Sequence, residues 1–294
     1  MEIGIVGLAN VGKSTLFNAL LKKQVALAAN YPFATIEPNI GVVPVPDPRL
    51  AILADVVKTK RIVPASVTFV DIAGLVKGSS QGEGLGNKFL ARIREVDAIL
   101  FLLRDFTDEN VIRAGSTNPK DDLEILNMEL ELADLEAKEQ VNLLAKKPAI
   151  VVYNTDEDKL GGEGLRICAK LEEELAALSE EEQREYLKQL GITETGLEKV
   201  IKKAYEILDL QSFLTAGELE ARAWTIKKGT KAPQAAGVIH TDFEKHFIKA
   251  DVINWEEFVD LGGWVKAREA GKVRMEGRDY VMAEGDMVEF KIGT

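Results

Sequence analysis

Short apolar runs alternate with stretches of helical periodicity along the first 210 residues. The apolar runs fall at residues 2–6, 40–45, 63–71, 98–103 and 149–153 and are typical of buried strands. Residues 15–21 favour a helix, and residues 121–144 repeat leucine at the spacing of an amphipathic helix, which favours an interior helix over a partner-binding one. This alternation predicts an α/β fold with a doubly wound sheet and ligands at its strand ends.

Beyond residue 210 the runs become shorter and have strand character. They fall at residues 223–226, 237–239, 249–253, 280–282 and 287–292, with one helix near 242–247 and a linker near 208–217. We therefore expect a first domain at 1–210, with a helical arm segment at about 121–147, and a small mixed α/β domain at 211–294.

Residues 7–14, GLANVGKS, fit the phosphate-binding pattern G-x-x-x-x-G-K-[ST] between a predicted strand and a predicted helix. A glycine-rich loop at a helix N-terminus aims backbone N–H groups and the helix dipole at one anion, and Gly7 and Gly12 permit close approach. Lys13 is expected to reach the β and γ phosphates, which makes it a catalytic candidate. The nucleotide-binding candidates of this loop are Asn10, Val11, Gly12, Lys13, Ser14 and Thr15. The chain is thus predicted to bind a nucleoside triphosphate.

Metal ligation and switching are predicted from Ser14 and three downstream residues. A strand at 67–70 runs into Asp71, which can hold Mg²⁺ through water, and Gly74 completes a D-x-x-G motif and offers its N–H to the γ-phosphate. Thr35 is the candidate threonine that closes over Mg²⁺, the alternative being a solvent-facing loop hydroxyl.

The base-reading segment departs from a guanine-specific one. Residues 154–157 read Asn-Thr-Asp-Glu where a GTPase has Asn-Lys-x-Asp, so Glu157 replaces the short carboxylate that accepts both guanine donors. We expect Asn154 and Glu157 to contact the base with specificity relaxed or reversed toward ATP; a true GTPase is favoured if Asp156 faces the base instead. Cys168 and Ala169 occupy the place of the loop whose backbone meets the base, although a strand end followed by a helix explains them equally well.

Catalysis is also expected to be unusual because Leu75, which cannot orient water, follows Gly74. Asn10, at the fourth loop position, is therefore a catalytic candidate whose side-chain oxygen would ligate K⁺ beside the phosphates. The alternative is an Asn that only caps its own loop.

Several long runs together resemble the YchF subfamily of Obg-like ATPases. They are NYPFATIEPN at 30–39, DIAGLVKG at 71–78, GEGLGNKFL at 82–90, Asn154 with Glu157, RAWTI at 222–226 and APQAAGVIHTDF at 232–243. The resemblance covers nearly the whole chain. It implies a P-loop G domain with a helical arm and a C-terminal β-grasp (TGS-like) domain, and potassium-stimulated hydrolysis of ATP in preference to GTP, in association with ribosomes.

Two departures from the family stand out. The family carries a histidine proposed to be catalytic where this chain has Arg113, and the two histidines here are His240 and His246. If hydrolysis needs that histidine, the protein should be slow or should use Arg113 as a fixed charge; a solvated loop residue is the alternative. The arm is also short, with only about ten residues at 138–147 before the next strand. A naturally short arm, a deletion, and residues absent from the sequence all fit.

Net charge bears on whether the protein binds RNA. The chain carries −11 in all, which opposes binding to RNA, but residues 211–294 account for only −2. Basic residues cluster at 227–231 and 266–278, so this domain could touch ribosomal RNA, although a solvated face is the commoner meaning. One cysteine, no signal peptide and no apolar run of about 18 residues predict a cytoplasmic protein with no membrane partner, expected to be a monomer.

Overall fold

The computed structural model describes residues 1–28, 39–72, 85–136 and 143–293. Its strands are β1 (Glu2–Val6), β2 (Ile40–Pro44), β3 (Ile62–Val63), β4 (Ser66–Asp71), β5 (Ala98–Asp105), β6 (Ala149–Thr155), β7 (Leu165–Ile167), β8 (Leu210–Ala216), β9 (Ala221–Lys227), β10 (Phe247–Asn254), β11 (Arg274–Glu276) and β12 (Asp286–Ile292). Its helices are α1 (Lys13–Ala28), α2 (Arg49–Val57), α3 (Leu85–Glu95), α4 (Pro119–Glu136), α5 (Ala169–Leu175), α6 (Glu180–Gln189), α7 (Gly196–Ile207), α8 (Ala232–Ile239), α9 (Thr241–Lys245), α10 (Trp255–Leu261) and α11 (Trp264–Glu269), and 3₁₀ turns cover Leu144–Lys146 and Glu157–Lys159.

The chain forms two compact units. The first comprises Met1–Pro44 and Val67–Leu208, and the second comprises Val45–Ser66 and Asp209–Thr294. Residues 45–66, predicted to lie in the first domain, belong to the second unit, where β3 pairs with β9. Among the described residues, no helix has the length and apolar character that a bilayer crossing requires.

The first unit contains a six-stranded sheet in the order β2-β4-β1-β5-β6-β7. Strands β4, β1, β5, β6 and β7 run parallel to one another. Seven of the eight residues of β5 are buried, as its continuous apolar run predicts for a central parallel strand. The prediction of a doubly wound P-loop sheet is confirmed, and the carboxyl ends of β1, β4 and β6 carry the candidate nucleotide-site residues.

The second unit contains a six-stranded mixed sheet in the order β11-β10-β12-β8-β9-β3. Strands β8 and β12 run parallel, and β8 with β9 and β10 with β12 run antiparallel. Helix α8 buries its alanines against Phe213 and Val252 in the core of this unit. A helix packed on one face of a mixed sheet agrees with the predicted β-grasp domain.

Two sequence predictions for the second unit are wrong. Residues 208–217, predicted as a linker, contain strand β8. Its residues Gln211 and Ser212 are polar but are buried in the sheet. Residues 237–239, predicted as a strand, form the end of α8, which begins with Pro233 in its first turn and buries Ala232, Ala235 and Ala236.

Candidate functional site: a phosphate loop with a closed base-binding end

The loop between β1 and α1 takes the conformation that its glycines predict. Gly12 has φ +96°, and a Cβ there would lie 2.3 Å from the side-chain nitrogen of Asn154. A Cβ on Gly7 would lie 2.5 Å from the carbonyl oxygen of Leu102 in β5. Both positions therefore require glycine, since the loop passes directly against β5 and β6. Val11 is buried, while Ser14 in the first turn of α1 is exposed and Thr15 is half-buried.

Lys13 folds back onto its own loop. Its ammonium donates to the carbonyl oxygens of Gly7 at 2.9 Å and Leu8 at 2.8 Å. Burial lowers the pKa of Lys13, and the carboxylate of Asp71 opposes that shift. The same environment acts on Asp71, because burial raises the pKa of its carboxyl and the charge of Lys13 opposes the rise. The two charges thus share one partly buried site at the ends of β1 and β4.

One feature of Asp71 fits the role of a metal ligand. Its Oδ1 is a buried atom that has no hydrogen-bond partner among the described residues. A buried carboxylate oxygen without a donor is costly, and Mg²⁺ or its water would supply the missing contact. The described residues hold no cluster of three or more His, Cys, Asp or Glu side chains with metal-binding geometry. Mg²⁺ bound with a nucleotide needs none, since it keeps several waters and phosphate ligands.

Asn154 joins the phosphate loop to the start of α5, which with residues 154–157 forms the candidate base-binding end. Its Nδ2 donates to the carbonyl oxygen of Val11 at 2.9 Å, and its Oδ1 accepts from the N–H of Ala169 at 2.9 Å. The side chain is 5% exposed. Asn154 therefore acts first as a clasp between two loops, and its amide orientation is fixed by a donor on one side and an acceptor on the other.

The carboxylates after β6 have different environments. Asp156 accepts from the N–H of Thr107 at 3.1 Å, from its hydroxyl at 2.9 Å, and from Lys159 at 2.9 Å. Partial burial by itself would raise the pKa of Asp156, but these hydrogen bonds together lower it. Glu157 is exposed in the following 3₁₀ turn. Asp156 is thus hydrogen-bonded within the protein, whereas Glu157 is exposed to solvent.

Cys168 and Ala169 lie at this same end. Cys168 precedes α5 as its N-cap residue, and Ala169 is 1% exposed. Burial raises the pKa of the Cys168 thiol, with a further contribution from the charge of Glu157. The structure therefore brings Glu157, Cys168, Ala169 and Asn154 together at one end of the sheet.

Arg104, near the end of β5, contributes to this site and was not predicted from the sequence. Arg104, 4% exposed, donates to the carbonyl oxygens of Asp108, Val111 and Ile112, and Asn10 donates to Ile112 from the phosphate loop at 3.2 Å. Arg113 donates to the carbonyl oxygens of Ser116 and Arg104. A charged residue near the end of an otherwise apolar strand was the one available signal. Two other candidates, Thr35 and Gly74, lie outside the described residues.

A phosphate loop between a parallel strand and a helix, with a lysine and an acidic strand end beside it, defines a P-loop nucleotide-binding protein. Family profiles agree: one described as a 50S ribosome-binding GTPase matches residues 2–155, and one for a YchF-type GTPase C-terminal domain, described as a protein of unknown function, matches residues 210–293.

Individual relatives match over their whole length. A Haemophilus influenzae protein named ribosome-binding ATPase YchF is 44% identical over 100% of this chain and 99% of its own, and one from Bacillus subtilis with the same name is 42% identical over 100% of both. The solved YchF GTPase of Schizosaccharomyces pombe is 35% identical, with a TM-score of 0.85 over 99% of this chain and 97% of its own. The chain belongs to the YchF family. The Haemophilus alignment spans 361 positions against 294 residues here, so at least 67 positions are gaps in this chain.

Proposed function

We propose that this protein is a slow, Mg²⁺-dependent ATPase that prefers ATP to GTP and switches its association with the ribosome. The observation that carries the base preference is the pairing of Asp156 with Thr107 and Lys159. Guanine recognition needs a short, fixed carboxylate that accepts from two adjacent donors. Glu157, at the position of the family's base-reading carboxylate, is longer and lies exposed in a 3₁₀ turn. Without that paired contact, discrimination in favour of guanine is lost.

The metal would be held by Asp71 and Ser14, with Thr35 completing the set when the triphosphate is bound. Bound there, Mg²⁺ neutralises charge on the β and γ phosphates. Lys13 would exchange its bonds to Gly7 and Leu8 for phosphate oxygens, which is possible because both carbonyls belong to the loop itself. Gly74 would offer its N–H to the γ-phosphate.

Slow turnover is proposed because the usual groups that position water are replaced. Leu75 stands where a glutamine would orient water, and Arg113 is occupied by the carbonyl oxygens of Ser116 and Arg104. Asn10 remains, with its nitrogen bonded to Ile112 and its oxygen available to a monovalent cation such as K⁺.

Ribosome association is proposed from the names of the relatives, which call them ribosome-binding. The basic residues of the second unit give it only weak electrostatic support. Arg268 pairs with Asp251 and Glu289, and Lys272 pairs with Glu257. Lys231 and Arg274 are likewise paired with acidic groups. Because these cations already have acidic partners, docking should depend less on salt than that of a basic RNA-binding domain.

A true GTPase is the second candidate, since the matched profile and the solved relative are both described as GTPases. The ATPase and GTPase proposals are distinguished by titrating the protein with ATP and GTP in matched KCl and NaCl buffers and following binding and phosphate release. Tighter ATP binding with turnover stimulated by potassium supports the proposal; GTP preference refutes the base assignment, and equal rates in both salts refute the cation role of Asn10. Glu157→Asp should regain GTP affinity, while Asp158→Ala, in the same turn, should leave the ratio unchanged.

A docking module that uses hydrolysis only as a timer is tested separately. Ribosome co-sedimentation is measured without nucleotide, with ADP and with a non-hydrolysable ATP analogue, for the wild type and Lys13→Ala. The switch is supported if the fraction of wild-type protein that co-sediments with ribosomes changes with the nucleotide, and if Lys13→Ala gives the same fraction in all three conditions. Association that ignores nucleotide refutes it.

A further inference from the structure

We infer that Arg104 is a positioning residue for the phosphate loop, acting through the carbonyl of Ile112 on the side chain of Asn10. The inference rests on the proposed function only in taking residues 7–14 as the phosphate-binding loop. It assigns a role to a buried cation that neither the phosphate pattern nor the family motifs include.

Arg104 organises the loop after β5 from within. Its Nη1 donates to the carbonyl oxygens of Val111 at 3.1 Å and Ile112 at 3.4 Å, and its Nη2 donates to that of Asp108 at 3.2 Å. The guanidinium also lies 4.3 Å from the ring centre of Phe106. A planar fork with fixed donors sets the directions of three carbonyls in one geometry, whereas a lysine ammonium is a rotatable point donor.

The carbonyl of Ile112 is shared with the phosphate loop. Asn10 donates its Nδ2 to that oxygen at 3.2 Å, while its own backbone has φ +61°. A carbonyl oxygen has two lone pairs, so one can serve Arg104 and the other Asn10. With the nitrogen held there, the amide oxygen of Asn10 faces away from Ile112. Arg104 thereby fixes which end of the Asn10 amide remains for a ligand.

Arg113 closes the arrangement from the other side. Its Nε donates to the carbonyl of Ser116 at 2.6 Å, and its Nη2 donates to the carbonyl of Arg104 at 3.2 Å. The two arginines together hold a stretch that contains no helix or strand of its own between β5 and α4. The position at which the family has a histidine therefore serves, in this chain, to shape the loop that contacts Asn10.

A double-mutant cycle tests the assignment, with affinity for the fluorescent analogue mant-ATP in the presence of Mg²⁺ as the readout. Asn10→Ala and Arg104→Lys are each expected to weaken binding about threefold to tenfold, as for the loss of one or two hydrogen bonds. Both changes break the same chain of contacts. The double variant should therefore bind mant-ATP no more weakly than whichever single variant has the lower affinity. Losses that multiply, or wild-type affinity in Arg104→Lys, would overturn the inference.

Controls separate positioning from folding. Arg94→Lys removes another arginine that bonds a backbone carbonyl, that of Ala133, and should leave mant-ATP affinity unchanged. Urea unfolding is followed for every variant; if Arg104→Lys does not fold, Phe106→Leu, which removes only the ring beside the guanidinium, replaces it in the cycle with the same two criteria. A wild type that prefers GTP would refute the proposed function but not this inference, since mant-GTP then serves as the probe.

Discussion

Gly12→Ala gives the sharpest test of the site geometry. An alanine at φ +96° costs about 1–2 kcal/mol in backbone strain. Its Cβ would also lie 2.3 Å from Nδ2 of Asn154, so that side chain must move. Moving it breaks the bonds to Val11 and Ala169 in a buried setting, which costs about 1–3 kcal/mol. We therefore expect the nucleotide-free protein to lose about 2–5 kcal/mol of unfolding free energy.

Gly191→Ala supplies the matched control. Gly191 lies in the same unit at φ +69°, and nothing lies within 4 Å of a Cβ built there. It therefore carries the backbone cost alone, about 1–2 kcal/mol. A second control places Gly12→Ala in an Asn154→Ala background, where the clasp is already absent and the added cost should fall to that of Gly191→Ala.

The assay must follow the first unit. All three tryptophans, Trp224, Trp255 and Trp264, lie in the second unit, so their fluorescence reports the wrong one. Hydrogen exchange of peptides from β1, β5 and β6, measured at increasing urea, reports the stability of the sheet that carries the loop. Equal losses for Gly12→Ala and Gly191→Ala, or an undiminished loss for Gly12→Ala without Asn154, would refute the clasp.

Three further expectations concern specificity and pH. Thr107→Val should lower the ratio of ATP to GTP affinity about twofold to tenfold, because it frees Asp156 from its hydroxyl donor; an unchanged ratio in competition binding contradicts this. Burial raises the pKa of Asp71, so its ionisation reduces stability as pH rises through the folded pKa, and Asp71→Asn should stabilise the nucleotide-free protein at pH 7. That gain should vanish as pH falls toward about 4, and a gain independent of pH in urea titrations would rule out the electrostatic cause. Burial, with Asp286, raises the pKa of Tyr280 to about 12 from 10.0, so stability of the second unit should be full below pH 10 and fall as pH rises toward 12. Tryptophan fluorescence should show that Tyr280→Phe removes this fall, and its persistence would assign the fall to another group.

The elements with a strong local signal were predictable. The phosphate pattern and the apolar runs placed β1, β5 and β6, because a buried parallel strand is apolar on both faces. Strand β8 was missed since Gln211 and Ser212 are polar and become buried only through partners far along the chain, such as the carbonyl of Met282. The short run at 237–239 was misread because β-branched residues at the end of a helix resemble a strand when taken alone.

The base-binding end shows the same limit for function. Nothing in the order Asn-Thr-Asp-Glu reveals that Asp156 accepts hydrogen bonds from Thr107, 49 residues earlier. Arg104 likewise contacts Asn10 only through a carbonyl in a third segment. Motif spacing identifies side chains that a ligand needs, whereas their availability depends on contacts that spacing does not encode.

The contacts of Lys13 and Asp71 likewise determine how available these two side chains are before a nucleotide binds. Lys13 is bonded to two carbonyls of its own loop, and Asp71 keeps a buried oxygen without a partner among the described residues. Burial shifts the pKa of each group toward its neutral form, even though the two attract each other. A magnesium-bound triphosphate carries the complementary charges, an anion for Lys13 and a cation for Asp71, so it would reverse both shifts. The fold therefore holds two charges at a cost that Mg²⁺ or phosphate alone could relieve only in part, which favours binding of the two together.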